Sequence, residues 1–265
     1  MKIAFAGKGG TGKTTLASAM VRLLSEDSRK VLAIDADPNS NLARALGFPE
    51  AKSIRPIVEM KDLIYDRMEI KGDPKGSFYK LNPRTDDIPE KFVVKRENIN
   101  LIVMGTVDAG GSGCVCPEST FLRELLKHLV LEEREDIVMD MEAGIEHLGR
   151  STAVAMDCLL IVSEPAFTSM ETARRVRRLA EDLKMKTYYL GNKIKSRQDE
   201  DYLYKNLGRE SMLGMISHHE GIHEIDKGGS VMDLPSSDKL LLELKNIKKT
   251  LSKMEMKSEQ KKVTG

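Results

Sequence analysis

The chain has 265 residues, with 42 Lys+Arg against 41 Asp+Glu and a formal charge of +1, so nothing in the overall balance draws it to nucleic acid or an anionic membrane. Charged residues make up 31%, and no apolar run reaches the ~18 residues of a bilayer span, which argues against an integral membrane protein. With 40% hydrophobic residues, three cysteines and no signal-like apolar segment at the start, the composition suits a cytoplasmic α/β protein without a disulfide framework.

Short Ile/Val/Leu-rich runs alternate with stretches of helical spacing, the pattern of a doubly wound, mostly parallel sheet flanked by helices. The first run, Lys2 to Ala6, leads into Gly7-Lys8-Gly9-Gly10-Thr11-Gly12-Lys13-Thr14 and then a helix from Thr14 to Ser25. Strand, glycine loop and helix in that order make a phosphate loop. Glycines allow the tight turn and let backbone N–H groups converge on phosphate oxygens, while Lys13 reaches the β/γ-phosphates and Thr14 completes a Mg²⁺ shell. The second run, Val31 to Asp35, ends in Asp35-Ala36-Asp37-Pro38-Asn39, with two carboxylates where an open sheet presents ligand-binding groups. Turn chemistry alone also accounts for an aspartate before Pro-Asn.

From Ala51 to Asn98 the rhythm breaks. The stretch is charged, carries Pro56, Pro74, Pro83 and Pro89, and reads as a variable insertion or lid at about residues 51–98 of one domain spanning 1–265. Further strands are expected at Ile99 to Met104, Asp136 to Asp140, Cys158 to Ser163, Lys186 to Leu190 and Met212 to Ile216, with helices at Glu118 to Leu131 and Met170 to Leu183. Asp140 closes an apolar strand in the manner of a Mg²⁺-side carboxylate. Glu142, Glu146 and His147 follow it and read equally well as loop charges. Asn192-Lys193 follows the Lys186 to Leu190 run and, on residues alone, can be a strand end that caps a turn.

Two further features lie outside the nucleotide chemistry. Cys114 and Cys116 sit two apart in Gly110-Gly111-Ser112-Gly113-Cys114-Val115-Cys116-Pro117, so on an extended segment both sulfurs face one side. They supply half of a tetrahedral thiolate shell, or they are inert or a redox pair. Cys158 falls inside a strand and reads as a small buried residue. From Lys239 onward, Leu240, Leu244, Ile247, Leu251 and Met254 draw one apolar stripe along a helix in a Lys-rich end at about residues 239–265, expected to fray after Lys253.

The run Lys8-Gly9-Gly10-Thr11-Gly12-Lys13-Thr14-Thr15 resembles the deviant Walker A loop of the MinD/ParA-like P-loop ATPases. That resemblance implies ATP as ligand, with Gly9, Gly10, Thr11, Gly12, Lys13, Thr14 and Thr15 around its phosphates and Asn192 at the adenine. It also implies that Lys8 crosses a homodimer interface to the partner's phosphates, that Asp37 positions the attacking water, and that Asp35 and Asp140 serve Mg²⁺. The Cys-x-Cys loop and the segment Asp140-Met141-Glu142-Ala143-Gly144-Ile145-Glu146-His147 are similar to the CooC-type nickel-insertion ATPases. The implication is a homodimer whose four cysteine thiolates, Cys114 and Cys116 from each chain, bind Ni²⁺ or Zn²⁺ for apo-carbon monoxide dehydrogenase or a related nickel enzyme. No nucleic acid or membrane partner is expected. Two other functions fit parts of the sequence: an iron–sulfur ATPase of the nitrogenase iron-protein type, and a MinD/ParA-like positioning ATPase using the Lys-rich helix on membrane or DNA.

Overall fold

A computed structural model describes the chain except residues 28, 72–77, 107–115, 133–134, 146–147, 220–221, 223–224, 226 and 264–265, and the side chains at 132, 255 and 257–263. The described strands are β1 (Lys2–Gly7), β2 (Val31–Ala36), β3 (Val94–Arg96), β4 (Ile99–Val103), β5 (Asp136–Met141), β6 (Cys158–Ser163), β7 (Thr187–Ile194) and β8 (Met212–Ser217). They form one 8-stranded sheet in the order β3-β4-β2-β5-β1-β6-β7-β8. Every neighbouring pair is parallel except β3 and β4. β2, β5 and β6 are buried along their whole length, which is why they read as unbroken apolar runs.

Helices cover both faces: α1 (Lys13–Ser25), α2 (Leu42–Ala45), α3 (Lys61–Arg67), α4 (Ile88–Phe92), α5 (Pro117–Glu132), α6 (Arg150–Ala155), α7 (Phe167–Asp182), α8 (Arg197–Leu207) and α9 (Lys239–Val263). Alternate residues of β1 feed the two cores. Ala4 and Ala6 face the layer that holds Phe121 and Leu125 of α5, whereas Ile3 and Phe5 face the layer of α1 and α9. From β1 the chain passes to β2 on one side, and from β5 it passes to β6 on the other. The carboxyl ends of β1 and β5 therefore open the crevice where such sheets bind ligands.

The structure adds to the sequence expectations in two regions. The 51–98 stretch contributes an antiparallel edge strand, β3, and buries Ile57, Ile64, Met68 and Ile88 in the α5-side core. Its elements are too short to display a period, so the apolar anchors were invisible as a pattern. The Lys-rich end is the other. Leu240, Leu244, Ile247 and Leu251 are buried with residues of α1, and Lys248 donates to the Leu23 carbonyl at 2.7 Å and Asp27 at 2.8 Å. Helix α9 continues past Lys253 to Val263, a stretch with no Gly or Pro to stop it. Among the described residues no helix is long and apolar enough to cross a membrane.

Candidate functional site

The phosphate loop links the carboxyl end of β1 to α1 and is held from inside and from the side. Thr11 donates from its hydroxyl to the Lys8 carbonyl at 2.8 Å, closing the turn. Asn192, near the end of β7, donates its Nδ2 to the Thr11 carbonyl at 2.7 Å. That approach needs glycine at 12: its φ is 89°, and a Cβ there would lie 2.5 Å from Asn192 Nδ2. Gly9, Gly10 and Thr15 complete the loop and first helical turn as the sequence placed them. Lys8 is half-buried, with no carboxylate in ion-pair range among the described residues.

Five of the expected side chains converge below this loop. Lys13 is buried and pairs with Asp37, Nζ to Oδ2 3.6 Å. The Thr14 hydroxyl donates to Asp140 Oδ2 at 2.5 Å. Asp35 lies beside Asp140 in the register of β2 and β5, and its two oxygens accept from the amides of Asp37 (3.2 Å) and Leu42 (2.9 Å). Asp35 thereby shapes the turn that presents Asp37, whose Oδ1 accepts from the Asn39 amide at 2.9 Å.

Burial sets the electrostatics. Desolvation first, then the charge of Asp140, pushes Asp35 up to about 8, against the opposing pull of the Leu42 and Asp37 amides. Desolvation likewise pushes Asp140 up to about 7, although the Thr14 hydroxyl and Lys13 pull the other way. Asp140 Oδ1 is buried without a hydrogen-bond partner. A carboxylate oxygen in that condition, next to a threonine hydroxyl and a second carboxylate, fits a divalent cation such as Mg²⁺.

These shifts predict a pH dependence. Both native pKa values lie above the ordinary 3.8, so between about pH 4 and 8 the folded chain holds protons that the unfolded chain releases, and stability falls as pH rises through that window. The melting temperature of ligand-free protein is expected to fall from pH 5 to pH 8, less steeply for Asp140→Asn, and Mg²⁺ should offset part of the fall. Parallel pH profiles for the native chain and the variant would contradict this assignment.

Beside the loop lies a cleft of about 330 Å³, walled by Gly12, Thr15, Arg44, Asn192, His218 and His219. Sequence reading missed Arg44, His218 and His219. Arg44 donates to the Ile225 carbonyl at 2.6 Å, and His219 Nε2 lies 3.7 Å from Asp238. The available signal was position: the histidines follow the carboxyl end of the last strand, at the sheet edge where ligands bind.

Cys116 precedes α5 at the same carboxyl edge, half-buried, and its Sγ accepts from the Ser119 amide at 3.4 Å. Nearby, Tyr65 of α3 donates to Glu118 at 2.8 Å. Cys114, Glu146 and His147 lie outside the described residues, Glu142 is exposed, and Cys158 is buried in β6. Among the described residues no group of three or more His, Cys, Asp or Glu is placed to hold a metal ion.

Residues 2–232 match the CobQ/CobB/MinD/ParA nucleotide binding domain. The chain is 43% identical over 232 residues to the carbon monoxide dehydrogenase accessory protein CooC of Rhodospirillum rubrum, covering 86% of this chain and 88% of that one. It is 42% identical over 240 residues to an uncharacterized ATP-binding protein of Methanocaldococcus jannaschii, covering 89% and 92%. Among solved structures it superposes on the septum site-determining protein MinD of Pyrococcus horikoshii, complexed with Mg-ADP, with a TM-score of 0.66 at 19% identity, covering 96% of each chain. At that identity the likeness concerns the fold.

Proposed function

From the premise that the chain belongs to the CobQ/CobB/MinD/ParA nucleotide-binding family, as a CooC-type ATPase with a deviant Walker A loop, we propose that it is a homodimeric metallochaperone. ATP closes two copies of the single domain 1–265, Cys114 and Cys116 of each take up one shared Ni²⁺ or Zn²⁺, and hydrolysis reopens the dimer to deliver the ion to apo-carbon monoxide dehydrogenase or a related nickel enzyme. The observation that carries this reading is Cys116 at the start of α5, on the same carboxyl edge of the sheet as the phosphate loop. The Rhodospirillum relative's name supports the client, and the CooC-type resemblance supports nickel, because thiolates by themselves do not separate Ni²⁺ from Zn²⁺.

In the hydrolytic step, the loop amides from Gly9 to Thr15 cradle the phosphates and Lys13 leaves Asp37 for the β/γ-phosphates. Asp37, released from that pair, orients the attacking water in line. Thr14 and Asp140 would hold Mg²⁺ with Asp35 behind them, and the ion would supply neutralisation of phosphate charge. Lys8, with no carboxylate partner in its own chain among the described residues, reaches the partner's phosphates, and Asn192 lines the base side of the cleft. A positioning role on membrane would need the apolar stripe of α9, of which Leu240, Leu244, Ile247 and Leu251 are spent on the core.

The test is anaerobic measurement of Ni²⁺ and Zn²⁺ stoichiometry, together with mass by light scattering, with and without ATP. The expected result is one ion per two chains in the ATP-bound dimer and none in a Cys114→Ala/Cys116→Ala variant that still dimerises. Unchanged metal binding in that variant would remove the cargo assignment and leave the ATPase standing.

A further inference from the structure

We infer that Lys193 is a positioning residue for the phosphate loop, a strut that holds the Gly10 carbonyl and is itself held by Glu164. Its Nζ donates to the Gly10 carbonyl at 2.5 Å and pairs with Glu164 Oε2 at 3.3 Å. The loops after β1 and β6 and the carboxyl end of β7 thus meet at one ammonium group. The inference rests on ATP binding alone and is independent of the metal cargo.

Three observations separate this role from ordinary surface pairing. The first is the backbone. In a regular strand, consecutive side chains point to opposite faces, yet Asn192 and Lys193 both reach the loop, at Thr11 and Gly10. The register of β7 against β8 shifts between Gly191 and Ile194, and Lys193 sits at φ 59°. An irregularity of this kind re-aims side chains, at a conformational cost that a non-glycine residue bears for a reason.

The second is the loop's own sparse support. Gly10 has φ 81°, and no atom lies within 4 Å of where its Cβ would be. Among the described residues the Gly10–Thr11 peptide is held at its amide end by the Thr11 N–H, which donates to the Lys8 carbonyl at 3.3 Å, and at its carbonyl end by the bond from Lys193. Because peptides are planar and trans, holding the Gly10 carbonyl toward β7 keeps the Thr11 amide on the Lys8 carbonyl, and holding the Thr11 carbonyl there directs the Gly12 amide to the opposite side. Lys193 and Asn192 act on adjacent peptides of the loop in the same sense.

The third is that Glu164 is anchored. Its amide donates to the hydroxyl of the fully buried Ser169 at 3.1 Å, and its carbonyl accepts from Ala166 at 2.7 Å. Its backbone is a fixed point from which the carboxylate reaches the lysine, whose side chain is 41% exposed. Its charge being matched by Glu164, Lys193 contributes chiefly through loop geometry.

The experiment is calorimetric titration of the full chain in Mg²⁺ with ATP and, separately, with inorganic tripolyphosphate, which has no base. Lys193→Ala is expected to weaken both ligands by the same factor, about tenfold for one lost hydrogen bond from a charged donor, and Lys193→Arg to recover most of it. Lys193→Gly, which relieves the left-handed backbone while removing the ammonium, should reproduce the loss if alanine disturbs folding. Weakened ATP with unchanged tripolyphosphate would make Lys193 a base contact and overturn the inference. Unchanged affinity for both in Lys193→Gly would make it a spectator and overturn it equally.

Discussion

Lys13→Ala is expected to lower kcat/KM for ATP about a thousandfold, or about 4 kcal/mol of transition-state stabilisation. The side chain is buried and, among the described residues, its only ion-pair partner is Asp37, at 3.6 Å. In the ligand-free chain that pair neutralises two charges in a site where Asp35 and Asp140 already resist ionisation. On the proposed mechanism, bound nucleotide draws the ammonium to the phosphates, and the aspartate becomes available to orient water. One truncation therefore removes the cation that stabilises charge on the transferred group and leaves Asp37 without its counter-ion. Lys13→Arg should recover little, because a planar fork does not replace a compact ammonium in a buried slot shaped by glycine turns. Steady-state phosphate release measures both variants. Activity within tenfold of the native chain in Lys13→Ala would show that the loop amides alone carry the phosphates.

Gly7→Ala is expected to be the most destabilising single change in the loop, about 3 kcal/mol, because it combines a steric clash with an unfavourable backbone. Gly7 pairs with Val162 where β1 adjoins β6, at φ 151°. A Cβ there would lie 2.4 Å from the Val162 carbonyl oxygen and 3.3 Å from its carbon. Neither is the end of a flexible side chain. Relief would require β1 and β6 to part where the sheet feeds the phosphate loop. Gly9→Ala is the control: no atom lies within 4 Å of its added Cβ, so its cost should stay below about 0.5 kcal/mol. Urea midpoints measure the difference, and equal midpoints for the two variants would contradict the strand-contact argument.

The parts of this molecule written locally in the chain were legible there. Continuous apolar runs announced the buried parallel strands, and Gly7 to Thr14 between a strand and a helix announced the phosphate loop, because a phosphate cradle is built from neighbouring backbone amides. Asp35, Asp37 and Asp140 were found because strand ends in an open sheet collect on one edge. Other features depend on which strands become neighbours. The pairing of β2 with β5 sets Asp35 beside Asp140; burial in the sheet raises both pKa values, and the charge of Asp140 adds to the rise at Asp35. Parallel crossovers bring residues more than a hundred positions apart to the same rim. They carry Asn192 and Lys193 to the carbonyls of Thr11 and Gly10, and His218 to the wall of the cleft. The 51–98 stretch tells the same story in packing, since a charge-rich segment without a period reveals its core role only when a sheet face is there to receive Ile64, whereas the stripe through Leu244 of α9 was legible as spacing and only its burial partner was not. Sequence by itself determined the strands and the loop chemistry, through contacts between residues close in the chain. Tertiary structure decided the bracing of that loop, the protonation of its carboxylates and the covering of the sheet, because each requires groups that only the folded sheet brings within bonding distance.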